Sequence, residues 1–150
     1  LSNEKTPYYI IGNHLTDYGS FIKDKYRNKG IIFLGGIFDK NDLDNIRYYS
    51  KLYLHGHSVG GTNPSLLEAM AAKTLILAHE NEFNKSVLED DAFYFSNKKE
   101  LCKLFTQDLE SKRVKFVSNN LNKLERLYRW PIMINKYISY FKKVLRESKK

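Results

Sequence analysis

The sequence predicts an α/β protein: a Rossmann-like parallel sheet flanked by helices, followed by a helical C-terminal segment. Three observations lead to this prediction. Short apolar stretches alternate with helical patterns, a glycine turn precedes a capped helix, and the chain after residue 95 has helical periodicity throughout. Strands that alternate with helices imply right-handed crossovers, and such crossovers join parallel strands.

Five short apolar segments are the predicted strands: Tyr8–Ile11, Ile31–Leu34, Lys51–Leu54, Thr74–Ala78 and Ala92–Phe95. Helical patterns fill most of the intervals between them. Three helices are predicted after the last strand: Lys98–Asp108, Arg113–Tyr128 and Pro131–Glu147. Trp130 and Pro131 mark the break between the last two helices, because proline disfavours helical backbone at the residue before it.

Length and composition indicate one globular domain. The chain has 150 residues, of which 42% are hydrophobic, enough for a single core. No apolar run approaches the ~20 residues that span a bilayer, and the first residues lack the pattern of a signal peptide. These features predict a cytoplasmic protein. Cys102 is the only cysteine, so no disulfide forms within the chain.

The segment from His55 to Ala71, HGHSVGGTNPSLLEAMA, has the features of a phosphate site. Glycines at 60 and 61 allow positive φ angles and close approach of a ligand. Asn63 is a favoured N-cap residue and Pro64 suits the first helical position, so a helix is predicted to begin at Pro64. The first-turn N–H groups are expected to lack internal partners, and together with the helix dipole they favour a phosphate or diphosphate.

Glu68 lies one turn inside this helix, beside an apolar stripe. Its carboxylate is therefore predicted to face the ligand and to bind hydroxyl groups, such as those of a ribose. The alternative is an ordinary capped amphipathic helix in which Glu68 is solvated. Spacing alone leaves these two interpretations open.

Residues Gly60–Ala78, GGTNPSLLEAMAAKTLILA, closely resemble the donor-binding domain of family 4 type glycosyltransferases of the GT-B fold. The form GGTNPSLLEAM is most similar to the rhamnosyltransferase-like branch that builds bacterial surface polysaccharides. The resemblance implies the C-terminal half of a GT-B fold, a nucleoside-diphosphate sugar as the substrate, and neither a bound metal nor another cofactor. It implies that Glu68 binds the ribose and that the diphosphate lies at the turn and helix start, formed by Gly60, Gly61, Thr62, Asn63, Pro64 and Ser65.

The resemblance extends over roughly residues 8–145. Tyr8–Asn13 resembles the strand that ends in the family's glycine loop, and Ile31–Leu43 resembles the strand and loop whose backbone reads the base. Asn81–Phe95 is similar to the segment after the next strand. The donor-binding positions that this comparison adds are Gly12, Asn13, Gly35, Gly36 and Ile37.

The sequence departs from the family pattern at one position. The family has two glutamates separated by seven residues, and the first of them corresponds to Gly60 here. The contact to the donor sugar therefore falls either to the turn Gly60–Asn63, through its backbone amides and the Thr62 and Asn63 side chains, or to another residue. The catalytic residue and the retaining outcome are not assigned. By the resemblance, the first strand of the domain and an N-terminal domain for a saccharide or lipid-linked acceptor are expected outside this chain, which alone is expected to be inactive.

All four histidines follow predicted strands. His14, His55, His57 and His79 are placed just past the strand ends, at the edge that forms the ligand crevice of open α/β sheets. The histidines either line a nucleotide-sugar cleft or simply stand in loops, and His57 is counted among the donor-binding residues. A zinc site is the alternative, but no acidic or cysteine partner stands at ligand spacing, and no metal is predicted.

The net charge of +8 is concentrated in the last third of the chain. The last predicted helix is basic and amphipathic, so it either contacts an anionic membrane as a peripheral segment or packs its apolar side on protein with its charges solvated. No motif of a nucleic-acid-binding module is present, and no nucleic-acid partner is expected. A non-catalytic phosphate-binding module and a basic nucleic-acid-binding domain are the alternative functions.

Overall fold

The computed structural model describes residues 7–148, and the chain divides into two compact units, residues 1–46 and 47–150. Lys149 and Lys150, which contribute to the positive charge of the last third of the chain, lie outside the described residues. Each unit contains parallel strands connected by helices.

The first unit contains two parallel strands, β1 (Tyr8–Ile11) and β2 (Ile31–Gly35), with Tyr8 opposite Ile31. Helix α1 (Asp17–Lys25) connects them. The Thr16 hydroxyl caps this helix by accepting a hydrogen bond from the Gly19 N–H at 3.0 Å. Helix α2 (Lys40–Tyr49) follows β2, and the boundary between the units falls within it.

The second unit contains a three-stranded parallel sheet of order β3-β4-β5. Its strands and helices are β3 (Tyr53–His55), α3 (Pro64–Ala71), β4 (Ile76–His79), α4 (Glu82–Leu88), β5 (Phe93–Phe95), α5 (Lys98–Leu104), α6 (Arg113–Lys123) and α7 (Trp130–Glu147). A 3₁₀ turn, Glu110–Lys112, precedes α6, and a π-helical turn, Leu124–Tyr128, follows it.

The centre of the second unit is the segment around β4, whose side chains alternate between two buried clusters. Ile76 and Ala78 belong to a cluster that includes Leu66 and Met70 of α3. Leu75 and Leu77 belong to the other, which also contains Leu109, Phe95 and Phe116. Burial on both faces is typical of a parallel strand covered by helices on either side.

The predicted fold class is confirmed: over residues 7–148 strands and helices alternate, and the strand pairs are parallel. The strands form two sheets, and the sequence pattern did not predict this division. The helix predicted over Lys98–Asp108 ends at Leu104, where the Thr106 hydroxyl donates to the Lys103 carbonyl, a local bond that competes with helix.

The predicted break before the last helix lies one residue earlier. Arg129 is extended (φ −67°, ψ 141°), and α7 begins at Trp130 with Pro131 as its second residue. Proline is tolerated there because the first helical N–H groups have no acceptor within the helix. The helix predicted over Arg113–Tyr128 changes from α-helical to π-helical at Leu124.

Helix α7 buries none of its residues against the rest of residues 7–148. Its exposed apolar side chains include Ile134, Tyr137, Phe141 and Leu145. Among the described helices, none is long and apolar enough to cross a membrane. Contact of α7 with an anionic membrane surface stays a prediction.

Candidate functional site

The first turn of α3 is capped by Asn63. Its side-chain carbonyl accepts hydrogen bonds from the Ser65 N–H at 3.0 Å and from the Ser65 hydroxyl at 2.8 Å. The Asn63 backbone carbonyl accepts from the N–H groups of Leu66 and Leu67. The prediction that the first-turn amides lack internal partners is therefore wrong, because the cap and a tightened first turn satisfy them.

The backbone N–H groups without partners lie in the turn that precedes α3. Within residues 7–148, the N–H groups of Gly60, Gly61 and Thr62 form no hydrogen bond. Gly60 has a φ of 121°, which favours glycine, and a Cβ at Gly60 or Gly61 would meet no described atom within 4 Å. Unpaired amides in a side-chain-free turn can receive the oxygens of an anion.

A cleft of about 190 Å³ opens at this turn. It lies between the turn before α3 and the start of α4. The lining residues are His57, Val59, Gly60, Gly61, Thr62, Asn63, Pro64, Asn81, Phe83 and Asn84. Six of the predicted donor-binding residues are therefore brought together, whereas Ser65 and Glu68 do not line the cleft.

Two asparagines at the start of α4 hold the wall of the cleft in place. The Asn81 and Asn84 side-chain amides both donate to the His57 carbonyl, at 3.0 and 3.1 Å. Asn84 also donates to the carbonyl of His79 at 2.8 Å, and the Asn81 side chain caps α4. These bonds tie the segment after β3 to the end of β4, so the cleft wall is fixed by side chains that sequence reasoning had not singled out.

His55 is the last residue of β3, and its side chain is 1% exposed. Neither ring nitrogen has a hydrogen-bond partner within the described part of the chain. Its ring stacks on the ring of His57, with centroids 4.7 Å apart. Burial, and secondarily the neighbouring His57, lowers the pKa of His55 to about 4, so its imidazole is neutral at neutral pH.

Glu68 forms an ion pair that the sequence did not indicate. Its carboxylate accepts a hydrogen bond from the Arg47 guanidinium at 2.8 Å. The Arg47 side chain is 8% exposed, whereas that of Glu68 is 42% exposed. The arginine therefore orients a carboxylate that keeps part of its surface in solvent. Arg47 lies 21 residues before Glu68, and no local motif marks it.

The remaining predicted site residues lie in the first unit, after β1 and β2. The Gly12 N–H donates to the Gly35 carbonyl at 2.8 Å, and the Asn13 side chain accepts from the Leu15 N–H at 2.9 Å. Gly36 and Ile37 follow β2. Gly12, Asn13 and Gly35 are thus adjacent at the carboxyl ends of the two strands.

The histidines do not all follow their strands as predicted. His55 and His79 are the last residues of β3 and β4, because both strands end later than the hydrophobic pattern indicated. His14 lies in the first unit, with its ring 5.8 Å from that of Phe33. In the portion of the chain that the structure describes, no three side chains of histidine, cysteine, aspartate or glutamate cluster as metal ligands.

No protein-family model matches the chain, and no curated protein matches it. Several solved structures are similar to it. The chain is similar to HepE (Alr3699) of Anabaena in complex with UDP, with a TM-score of 0.72 and 16% identity over 93% of this chain and 41% of that one. The HepE complex with UDP-glucose gives a TM-score of 0.69 and 16% identity, covering 94% and 43%.

A third similar structure is the C-terminal domain of LpcC, a glycosyl transferase group 1 family protein from Francisella tularensis. Its TM-score is 0.59, with 21% identity over 76% of this chain and 64% of that one. The shared property is the fold. The fold predicted from the resemblance, that of the C-terminal half of the GT-B fold, is confirmed. The chain spans about two-fifths of the length of HepE.

Proposed function

We propose that this chain is the donor-binding part of a glycosyltransferase that uses a nucleoside-diphosphate sugar. One observation carries the proposal: a cleft with unpaired glycine amides opens beside a capped helix, in a fold shared with proteins solved in complex with UDP and UDP-glucose. Transfer then rests on donor positioning and on stabilisation of the leaving nucleoside diphosphate. No metal or other cofactor is part of the proposal.

The diphosphate is assigned to the turn amides of Gly60, Gly61 and Thr62, rather than to the amides of α3. Pro64 has no N–H, and the N–H and hydroxyl of Ser65 are engaged by the Asn63 side-chain oxygen, so these two residues shape the helix start without binding the diphosphate. Among the described residues, the NH2 group of the Asn63 side chain faces no such competition. The negative charge still lies near the start of α3, where the helix dipole is favourable.

The ribose is assigned to Glu68. A carboxylate accepts hydrogen bonds from hydroxyl groups and repels phosphate, and the exposed part of this side chain is accessible to a ligand. Arg47 fixes the orientation of the carboxylate, so Glu68 meets the ribose without first being ordered. Gly12, Asn13, Gly35, Gly36 and Ile37 are assigned to the base.

The acceptor is assigned to a saccharide or lipid-linked saccharide bound by a further domain, as in the rhamnosyltransferase-like branch that the sequence resembles. Because Gly60 replaces the first glutamate of the family pattern, the contact to the donor sugar is assigned to the Thr62 and Asn63 side chains and the turn amides. These assignments rest on the resemblance and on the position of the turn.

The test is calorimetric titration with UDP, 2′,3′-dideoxy-UDP, ADP and a short oligonucleotide. We expect Glu68→Ala to weaken UDP binding about tenfold or more, since hydrogen bonds to a charged acceptor contribute about 1.5 to 3 kcal/mol. The same variant should bind dideoxy-UDP as the parent does. Glu125→Ala is the matched control, because Glu125 also pairs with an arginine, Arg129, at 2.9 Å.

Three results would count against the proposal. Equal loss of UDP and dideoxy-UDP binding in Glu68→Ala would refute the ribose assignment. Binding of every phosphate compound with equal affinity would favour a non-catalytic phosphate-binding module. Oligonucleotide binding that disappears at high salt, without nucleotide binding, would favour a nucleic-acid-binding domain.

A further inference from the structure

The cleft contains only one ionisable side chain among its described lining residues, that of His57. The other lining side chains are apolar, amide or hydroxyl groups. Backbone amides can bind phosphate oxygens, but they supply no full positive charge. A diphosphate in this cleft therefore has one nearby candidate for a cationic ligand, and histidine is the residue that gains a proton near neutral pH.

The His57 ring is held in a defined position. Its own carbonyl is fixed by Asn81 and Asn84, and its ring stacks on His55 with an interplanar angle of 30°. His55 is immobilised in turn by burial, and the Tyr53 ring lies 5.9 Å from it. The exposed imidazole of His57 is thus held by stacking on the buried imidazole of His55.

The two imidazoles differ in their access to a proton. His55 is buried and has a pKa lowered to about 4, so it stays neutral, and two stacked imidazolium ions would repel each other. His57 is solvent-exposed, so its imidazole is open to solvent and to a ligand. A positive charge on the stacked pair therefore lies on His57 rather than on His55.

The surroundings leave this charge available to a ligand. His57 shares the cleft with Asn63 and Pro64 at the start of α3 and with Asn81, Phe83 and Asn84 at the start of α4, and none of these side chains is charged. The titratable neighbours of the pair are Tyr53, whose ring lies 5.9 Å from that of His55, and His79 at the end of β4, near the Asn81 amide. The adjacent Glu80 is engaged by Lys85 and by the Ser96 hydroxyl. No carboxylate lines the described cleft, so an incoming anion is the group that stabilises a charged His57.

We infer that the imidazolium of His57 is a ligand of the donor diphosphate, that His55 is the positioning residue that holds it, and that donor binding therefore takes up a proton at His57. This inference rests on the proposed function. It assigns to His57 the positive charge that neither lysine nor arginine supplies within the described cleft.

The experiment is an NMR titration of the histidine ring protons across about pH 5 to 9, with and without saturating UDP-glucose. UDP-glucose is the probe because its diphosphate diester has no ionisable group near neutral pH, so proton uptake belongs to the protein. We expect the titration midpoint of His57 to rise by about one pH unit on binding, which corresponds to a tenfold change in proton affinity. The amide signals of residues 60–62 should shift in the same samples.

Variants separate the roles of the two histidines. His57→Gln should weaken UDP-glucose binding about tenfold at pH 6 and have little effect at pH 9, since glutamine cannot be charged. His55→Ala should reduce both the affinity and the shift of the His57 midpoint, and His55→Phe should restore both by restoring the stack. A purely structural role for His55 would lower affinity equally at every pH.

The outcomes are distinguishable. If the turn amides shift and the His57 midpoint does not, the inference is overturned while the proposed donor site stands. If UDP-glucose shifts no amide of the turn, both are overturned. A His57→Gln variant that binds UDP-glucose as the parent does at pH 6 would also overturn the inference.

Discussion

Helices α3 and α7 are both amphipathic, yet they are stabilised in different ways. Helix α3 buries Leu66, Ala69 and Met70, each at most 1% exposed, and its first turn is capped by Asn63. Helix α7 buries no residue within the described chain, and no side chain caps it. Tertiary packing thus fixes α3, whereas α7 depends on helix propensity and on side-chain pairs along its surface. The candidate ligand site lies at the start of α3, the helix whose position is fixed by packing.

The largest expected effect is the loss of a buried side chain from α3. Met70→Ala should lower the free energy of unfolding by about 2 to 5 kcal/mol, because it removes buried methylene groups and leaves a cavity. Phe141→Ala in α7 should lower it by less than about 1 kcal/mol, since that side chain is 58% exposed. Urea denaturation of both variants measures the difference.

Equal losses in the two variants would contradict this comparison. They would mean that the apolar side of α7 is buried in solution, and sedimentation of Phe141→Ala beside the parent would then reveal whether another copy of the chain covers it. A loss confined to Met70→Ala supports the described packing.

The next largest expected effect is a pH dependence of the free energy of unfolding, which comes from His55 in β3, the strand before α3. The pKa of His55 is lowered to about 4 by burial and by His57, whereas an unfolded histidine titrates near 6.5. The unfolded chain therefore binds the proton first as the pH falls. The contribution of neutral His55 to stability is complete above about pH 6.5 and is lost towards pH 4, a decrease on the order of 3 kcal/mol.

Urea denaturation at pH 7 and pH 5 measures this dependence. His55→Phe keeps an aromatic ring at the position and removes the titrating group, so its stability should fall less over the same interval. An identical pH dependence in the parent and in His55→Phe would show that other groups cause it.

Short-range features of this region could be predicted from the sequence. The cap at Asn63, the helix start at Pro64 and the positive φ of Gly60 depend on residues within a few positions of one another, and the structure has all three. The alternation of strands and helices follows from local hydrophobic patterns in the same way. Long-range features could not be predicted. The Arg47–Glu68 pair joins residues 21 positions apart, and no local pattern encodes it.

Two errors have a common physical origin. The amides of the first turn of α3 were expected to be free, but a strong cap residue also satisfies the donors that a ligand would need. His55 was placed beyond its strand because strand ends are poorly marked in sequence, and a shift of one residue separates a buried ring from an exposed one. Both errors concern single residues at the ends of elements, where the site lies.

The smallest expected effect concerns the two helix starts. Asn63→Ala should lower the free energy of unfolding by about 1 kcal/mol, because the Ser65 N–H and hydroxyl lose their acceptor. Asn63→Asp keeps an acceptor oxygen and should lose little. Arg129→Ala is the matched change at the start of α7. It should alter stability by less than about 0.5 kcal/mol, since Arg129 provides no cap and its ion pair with Glu125 is exposed. If Arg129→Ala destabilised the protein as much as Asn63→Ala, the start of α7 would be held by contacts as specific as the cap of α3, and the distinction between a fixed helix and a solvated one would fail.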